Sequence, residues 1–165
     1  MKFLLLLILC GAILIMPNSS VPDGNVQNVS VNLNYSDTVE AVNSSDRITV
    51  IKNGVETSYE KNNPVFDTVL QAFNQGMVSS HMMPALGVSL DNEVKQAKKI
   101  GIWLEFNFNK TTSVDGMYFD GLLIEVNPTF GGINLFRKNN KTYEGRCLYL
   151  SNVNLKQLYT ELISL

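Results

Sequence analysis

At 165 residues, with 13 basic side chains against 15 acidic ones and a net charge of −2, the chain has the length of one domain and lacks the basic excess that nucleic-acid binding demands. Its one histidine and two cysteines are a thin ligand set for a metal centre. Cys10 falls in an apolar leader, which leaves Cys147 as the single thiol of the folded part and excludes an internal disulfide there.

Residues 1–20 read as a targeting segment. Lys2 supplies a positive start, Phe3 to Met16 is an almost unbroken apolar run, and Pro17-Asn18-Ser19-Ser20 ends it. As a helix the run would span roughly 21 Å, short of the ~30 Å of bilayer hydrocarbon, so a cleaved signal peptide is favoured over an anchor. Membrane attachment then depends on the leader remaining uncleaved or on a lipid at Cys10. Lipidation fits poorly, because bulky Leu7-Ile8-Leu9 precede that cysteine. The expected location is secreted or extracytoplasmic.

Residues 21–46 are rich in Asn, Ser, Val and Asp without helical period, and are expected to form a polar, disordered spacer. Alternation is brief, over Val29 to Leu33. One α+β domain is expected over 47–165. Ile48 and Val50 alternate with polar residues before Asn53-Gly54, a pair suited to a type I′ turn, which predicts a hairpin with strands at 47–52 and 55–59. Asn63 and Pro64 are a helix cap and first residue, and Val65, Phe66, Val69, Leu70 and Phe73 form one stripe, with Gly76 as a candidate stop or the helix fraying on towards His81. Asp91 to Lys99 predicts a second helix whose charges suit its dipole, with Lys95, Lys98 and Lys99 on a solvated face.

A four-stranded antiparallel meander should follow. Ile102, Leu104, Phe106 and Phe108 alternate with Trp103, Glu105 and Asn107, giving one apolar and one mixed face. Asn109 to Gly116 is expected as a polar loop, then strands at Met117–Val126, Ile133–Arg137 and Thr142–Leu150, with a bulge at Asp120-Gly121. Asn154 should cap a last helix carrying Leu155, Leu158, Tyr159 and Leu162. The expected core is Val50, Phe66, Leu70, Phe73, Ile102, Leu104, Phe106, Leu122, Ile124, Leu135, Leu148 and Leu158.

The stretch Arg47 to Gly54, followed by Asn63-Pro64-Val65-Phe66 and an amphipathic helix, resembles the start of small uncharacterised secreted or lipoprotein-like domains of low-GC Gram-positive bacteria. That resemblance implies an envelope location and no activity or site residue. Asn-x-Ser/Thr occurs at Asn18, Asn28, Asn34, Asn43, Asn109 and Asn140; the bacterial reading makes these chance matches rather than glycan acceptors.

The chain is poorly equipped for catalysis. His81 and Cys147 lack a local partner that would orient a base. Glu105, Asp120, Glu125 and Glu144 lie on expected strands, where Glu105 or Glu125 should pair with Arg146 across the sheet; if they converged, a small cell-wall hydrolase would be the alternative. No residue is assigned to catalysis, a metal or a cofactor. The sheet aromatics Trp103, Tyr118, Phe119, Phe130, Phe136, Tyr143 and Tyr149 offer a docking face for a protein or cell-envelope component, with Trp103, Tyr118, Phe119 and Tyr143 as the candidate binding residues. The competing reading places these aromatics in a second buried layer.

Overall fold

The computed structural model describes residues 35–83 and 87–165. The leader, Cys10, the stretch Val29 to Leu33 and Pro84 lie outside the described residues. The fold is α+β. In chain order the elements are α1 (Tyr35–Asn43), β1 (Arg47–Lys52), β2 (Val55–Glu60), α2 (Pro64–Met77), β3 (His81–Met83), β4 (Val88–Ser89), α3 (Asp91–Ala97), β5 (Ile102–Val114), β6 (Met117–Glu125), β7 (Gly132–Asn139), β8 (Thr142–Tyr143), β9 (Gly145–Arg146), β10 (Leu148–Ser151) and α4 (Lys156–Ser164). The main sheet runs β2-β1-β5-β6-β7-β10-β3 with β8 on β7, and β4 pairs separately with β9. The pairings are antiparallel.

Two layers cover the sheet. On one face Ile48, Val50, Leu104, Phe106, Leu122, Ile124, Leu135 and Leu148 pack against Val42 of α1, Phe66 and Phe73 of α2, and Leu158 and Leu162 of α4. Phe73 and Phe106 meet edge to face, with ring centroids 5.0 Å apart. On the other face a smaller cluster joins Ile51, Trp103, Leu123 and Tyr143 to Val94 of α3. The expected core residues are buried, except Leu70 and Ile102, which are half-buried at its margin.

The segment 35–46, expected in the polar spacer, contains helix α1, with Ala41 and Val42 buried and Thr38 donating to the Met82 sulfur at 3.5 Å. Few apolar residues suffice there, because the helix docks rather than standing alone. Asn63 caps α2 by accepting from the Val65 amide at 2.9 Å. Gly76, the candidate stop, is instead a buried residue inside α2. A methyl group there would lie 2.6 Å from the Asn154 carbonyl, and the Asn154 amide donates to the Gly76 carbonyl at 2.9 Å. The glycine therefore serves close approach, not termination.

The polar loop expected at Asn109 to Gly116 is also corrected. β5 continues to Val114, which is buried, and Asp115 and Gly116 turn the hairpin with φ of 50° and 69°. The irregularity sits on β5: residues 108–111 stand opposite Asp120 alone. The single last strand expected over Thr142–Leu150 is broken into β8, β9 and β10, with Gly145 at φ +80°. That break sends β9 to pair with β4 and brings β8 beneath α3.

Candidate functional site

Strand period decides which side chains share the smaller face. Trp103, Glu105 and Asn107 point there from β5, Leu123 and Glu125 from β6, and Phe136 and Lys138 from β7. Three things cover them: α3, the β4–β9 pair, and Tyr143 of β8. Asp91 ties two of these together, accepting from the Tyr143 amide at 3.0 Å and from Lys95 at 2.6 Å. The Cys147 amide donates to the Gly87 carbonyl at 3.1 Å, which anchors the start of β4.

At the centre lies Glu105, only 6 % exposed. Lys138 donates to one of its oxygens and the Tyr143 hydroxyl to the other. The Lys98 ammonium stands 3.9 Å from Glu105 and 3.0 Å from Glu56, donates to the Tyr143 oxygen at 3.2 Å, and lies 5.4 Å from that ring's centroid. Lys138 also donates to Asn107 at 2.8 Å, and Asn107 in turn donates to Thr49 at 3.2 Å. Ser58 and Thr49 continue the chain of contacts at 2.9 Å. A buried carboxylate is tolerable because each oxygen is met by a donor and two ammonium groups neutralise it.

Gly121 makes this arrangement possible. It lies between Asn107 and Lys138 in the ladder, and a methyl group on it would stand 2.5 Å from the Lys138 Cε. The lysine stem crosses β6 over this gap to reach β5. Gly121, Asn107, Lys98 and Lys138 were not singled out for this network from the sequence. The register that aligns Asn107, Gly121 and Lys138 is the signal that would have found it, and it exists only once the strands are paired.

The chemistry of this network is restrained. Burial, then the negative charge of Glu105 and the hydrogen bond to it, push the Tyr143 phenol far above its ordinary range, with smaller contributions from Glu56 and Asp91. The phenol is thus held protonated, as a donor. The expected pairing of Arg146 with Glu105 or Glu125 is not formed: Glu105 pairs with the two lysines, while Arg146 is exposed opposite Val88. Lysine wins because Lys138 crosses Gly121, whereas β9 has left the main sheet.

Of the other carboxylates, Glu125 shares the face of Glu105 and stands opposite Trp103, whereas Asp120 and Glu144 lie elsewhere. The Asp120 carboxylate accepts from the Asn140 amide at 2.8 Å near the opposite end of β6, and Glu144 is exposed. His81 is exposed on edge strand β3, opposite Ser151, while Cys147 is buried before the other end of β10. Burial raises the Cys147 pKa; a hydrogen bond with Ser89 and the charge of Arg137 oppose that effect without reversing it. Burial likewise lowers that of Arg137, against the charges of Cys147 and Glu144. Among the described residues no three histidine, cysteine, aspartate or glutamate side chains group as metal ligands, and no helix is long and apolar enough to cross a membrane.

Beside the network, at the open end of the same face, lies a groove of about 290 Å³. Val88, Leu90, Val94, Ala97, Trp103 and Phe136 give it apolar walls, and Ser89 and Glu93 add polar groups. Val88 and Leu90 are 64 % and 57 % exposed. The floor is fixed: the Trp103 indole donates to the Ile100 carbonyl at 2.8 Å and packs at 6.1 Å from the Phe136 ring. Of the four aromatics chosen from the sequence, Trp103 lines this groove and Tyr143 is buried in the neighbouring network. Phe119 is buried on the opposite face against Phe108, and Tyr118 is exposed. They do not make one surface. Phe136, one of the wider set of sheet aromatics, lines the groove with Trp103, whereas Leu90 was absent from the sequence reading. Comparison with protein-family models, with curated proteins and with solved structures gives no match.

Proposed function

We propose that the protein is a non-enzymatic, extracytoplasmic binding domain whose groove between α3, β4 and the β5–β7 end of the sheet takes one large apolar side chain of a partner protein. The groove carries this reading: a fixed aromatic floor of Trp103 and Phe136 sits below exposed Val88 and Leu90. At about 290 Å³ it lies at the small end for a small-molecule pocket, which suits an anchoring side chain better than a larger ligand. The Lys2 and Phe3 to Met16 pattern supports the extracytoplasmic part of the proposal. The closed state of Glu105, with its oxygens taken by Lys138 and Tyr143, supports binding over acid–base hydrolysis.

Trp103 is the only tryptophan, so its emission reports directly on the groove. Hexapeptides with a central Leu or Phe should change that emission saturably. The same peptides with Ser at the centre should not, and Leu90→Glu should abolish the response. If no apolar peptide gives a saturable change, the groove is not a binding site.

A further inference from the structure

A different edge of the molecule points to a second contact. Among the described residues β2 ends the main sheet, and its inner side pairs with β1 over all six residues without a bulge. Val55, Glu56, Thr57, Ser58 and Glu60 are exposed, Val55 to 69 %. Such an edge is open to strand addition: β2 carries no Pro or Lys, and its two charged residues, Glu56 and Glu60, lie on one face. Its two faces differ. Val55, Thr57 and Tyr59 lie on the side of Ile48 and Val50, whereas Glu56, Ser58 and Glu60 lie on the side of Ile51.

We propose that β2 pairs antiparallel with β2 of a second copy of the chain, with Thr57 opposite Thr57 on the two-fold axis. The argument is one of register. A two-fold axis normal to the sheet keeps like faces together, so residues meet across it only in steps of two. Centring on Thr57 sets Val55 against Tyr59 and Glu56 against Ser58, and brings Glu60 to Gly54. Aromatic with β-branched and threonine with threonine are favourable cross-strand pairs. A shift of two residues one way places Glu56 against Glu56; the other way places Glu56 against Glu60. Like charges directly opposite disfavour both. The Thr57 register is thus the one that overlaps nearly the whole strand without opposing carboxylates. Beside it, on the Val55 face, Val50, Lys52, Val55, Thr57, Tyr59 and Leu165 line a hollow of about 100 Å³, and the partner's Tyr59 would sit over Val55 at its mouth.

Sedimentation equilibrium of the protein as the cell produces it should show a reversible dimer. Thr57→Lys, a change at an exposed position, sets two ammonium groups face to face and should weaken the dimer about tenfold or more while leaving circular dichroism unchanged. Under mild oxidation Thr57→Cys should give a disulfide between two copies, mapped by mass spectrometry to position 57 in both. Val55→Cys should not, since that register sets its two copies roughly 13 Å apart along the strands. A monomer at every concentration, a dimer indifferent to Thr57→Lys, or cross-linking at 55 but not at 57 would each overturn the proposal.

Discussion

Tyr143 carries the clearest consequence at the scale of a single residue. Its hydroxyl donates to buried Glu105, and burial with the adjoining negative charge raises its pKa above the ordinary value of about 10. The sign of the pH effect follows. Below about pH 10 both folded and unfolded chains hold this proton, and the stability is fully present. Above it the unfolded chain releases the proton and the folded chain keeps it, so stability falls by about 1.4 kcal/mol per pH unit from this group. Urea unfolding at several values between about pH 9 and 11 should show that slope in the wild type. In Tyr143→Phe the slope should be shallower by one proton, although the variant starts from lower stability through loss of the bond to Glu105. Equal slopes in the two proteins would mean that the phenol ionises freely while folded.

At the scale of elements, Gly76 separates propensity from packing. In an isolated helix Gly76→Ala should gain about 1 kcal/mol. Here the new methyl group meets the Asn154 carbonyl at 2.6 Å and pushes apart α2 and the segment entering α4. Overpacking of this kind costs about 1–3 kcal/mol, so the urea midpoint should fall with an unchanged slope. A midpoint that rises would show that the segment yields freely. The same residue shows where sequence reasoning stops. Caps and stripes are local, so Asn63, Pro64 and the Phe66 to Phe73 face of α2 were legible, as was the alternation of Ile102 to Phe108. Gly76 and Gly121 resemble ordinary breakers in the sequence, and their meaning comes from Asn154 and Lys138, distant along the chain. The network suffered in the same way: Glu105 was named with the wrong partner, because Lys138 reaches it only across paired strands. The aromatic floor of the groove was legible through Trp103 and Phe136, whereas Leu90 joins it only after α3 folds over the same face.

At the scale of the whole molecule, the two faces of the sheet are unequally held. Three helices, α1, α2 and α4, cover the larger core, and α2 and α4 are joined by the backbone bond from Asn154 to Gly76. The smaller face is covered by the seven residues of α3 and the two-residue strands β4, β8 and β9. α3 buries only Val94 and has no side-chain cap. Beyond the small apolar cluster around Val94 and Tyr143, what fastens this cover is polar: Asp91 to the Tyr143 amide, and Lys98 and Tyr143 to Glu105. Polar fastenings contribute less net stability than the apolar contacts of the larger core, because their groups give up water to form them. Local opening should therefore begin here, below the global unfolding free energy. Native-state hydrogen exchange in low denaturant should release the amides of α3, β8 and β9 together, before those of β5 and β6. Trp103 lies directly under the cover, so its emission should shift in the same early step. An occupant of the groove that touches α3 would delay that step, which ties the stability of the cover to binding. If α3 and β5 exchange in a single cooperative transition, the two faces form one unit, and the cover has no opening of its own.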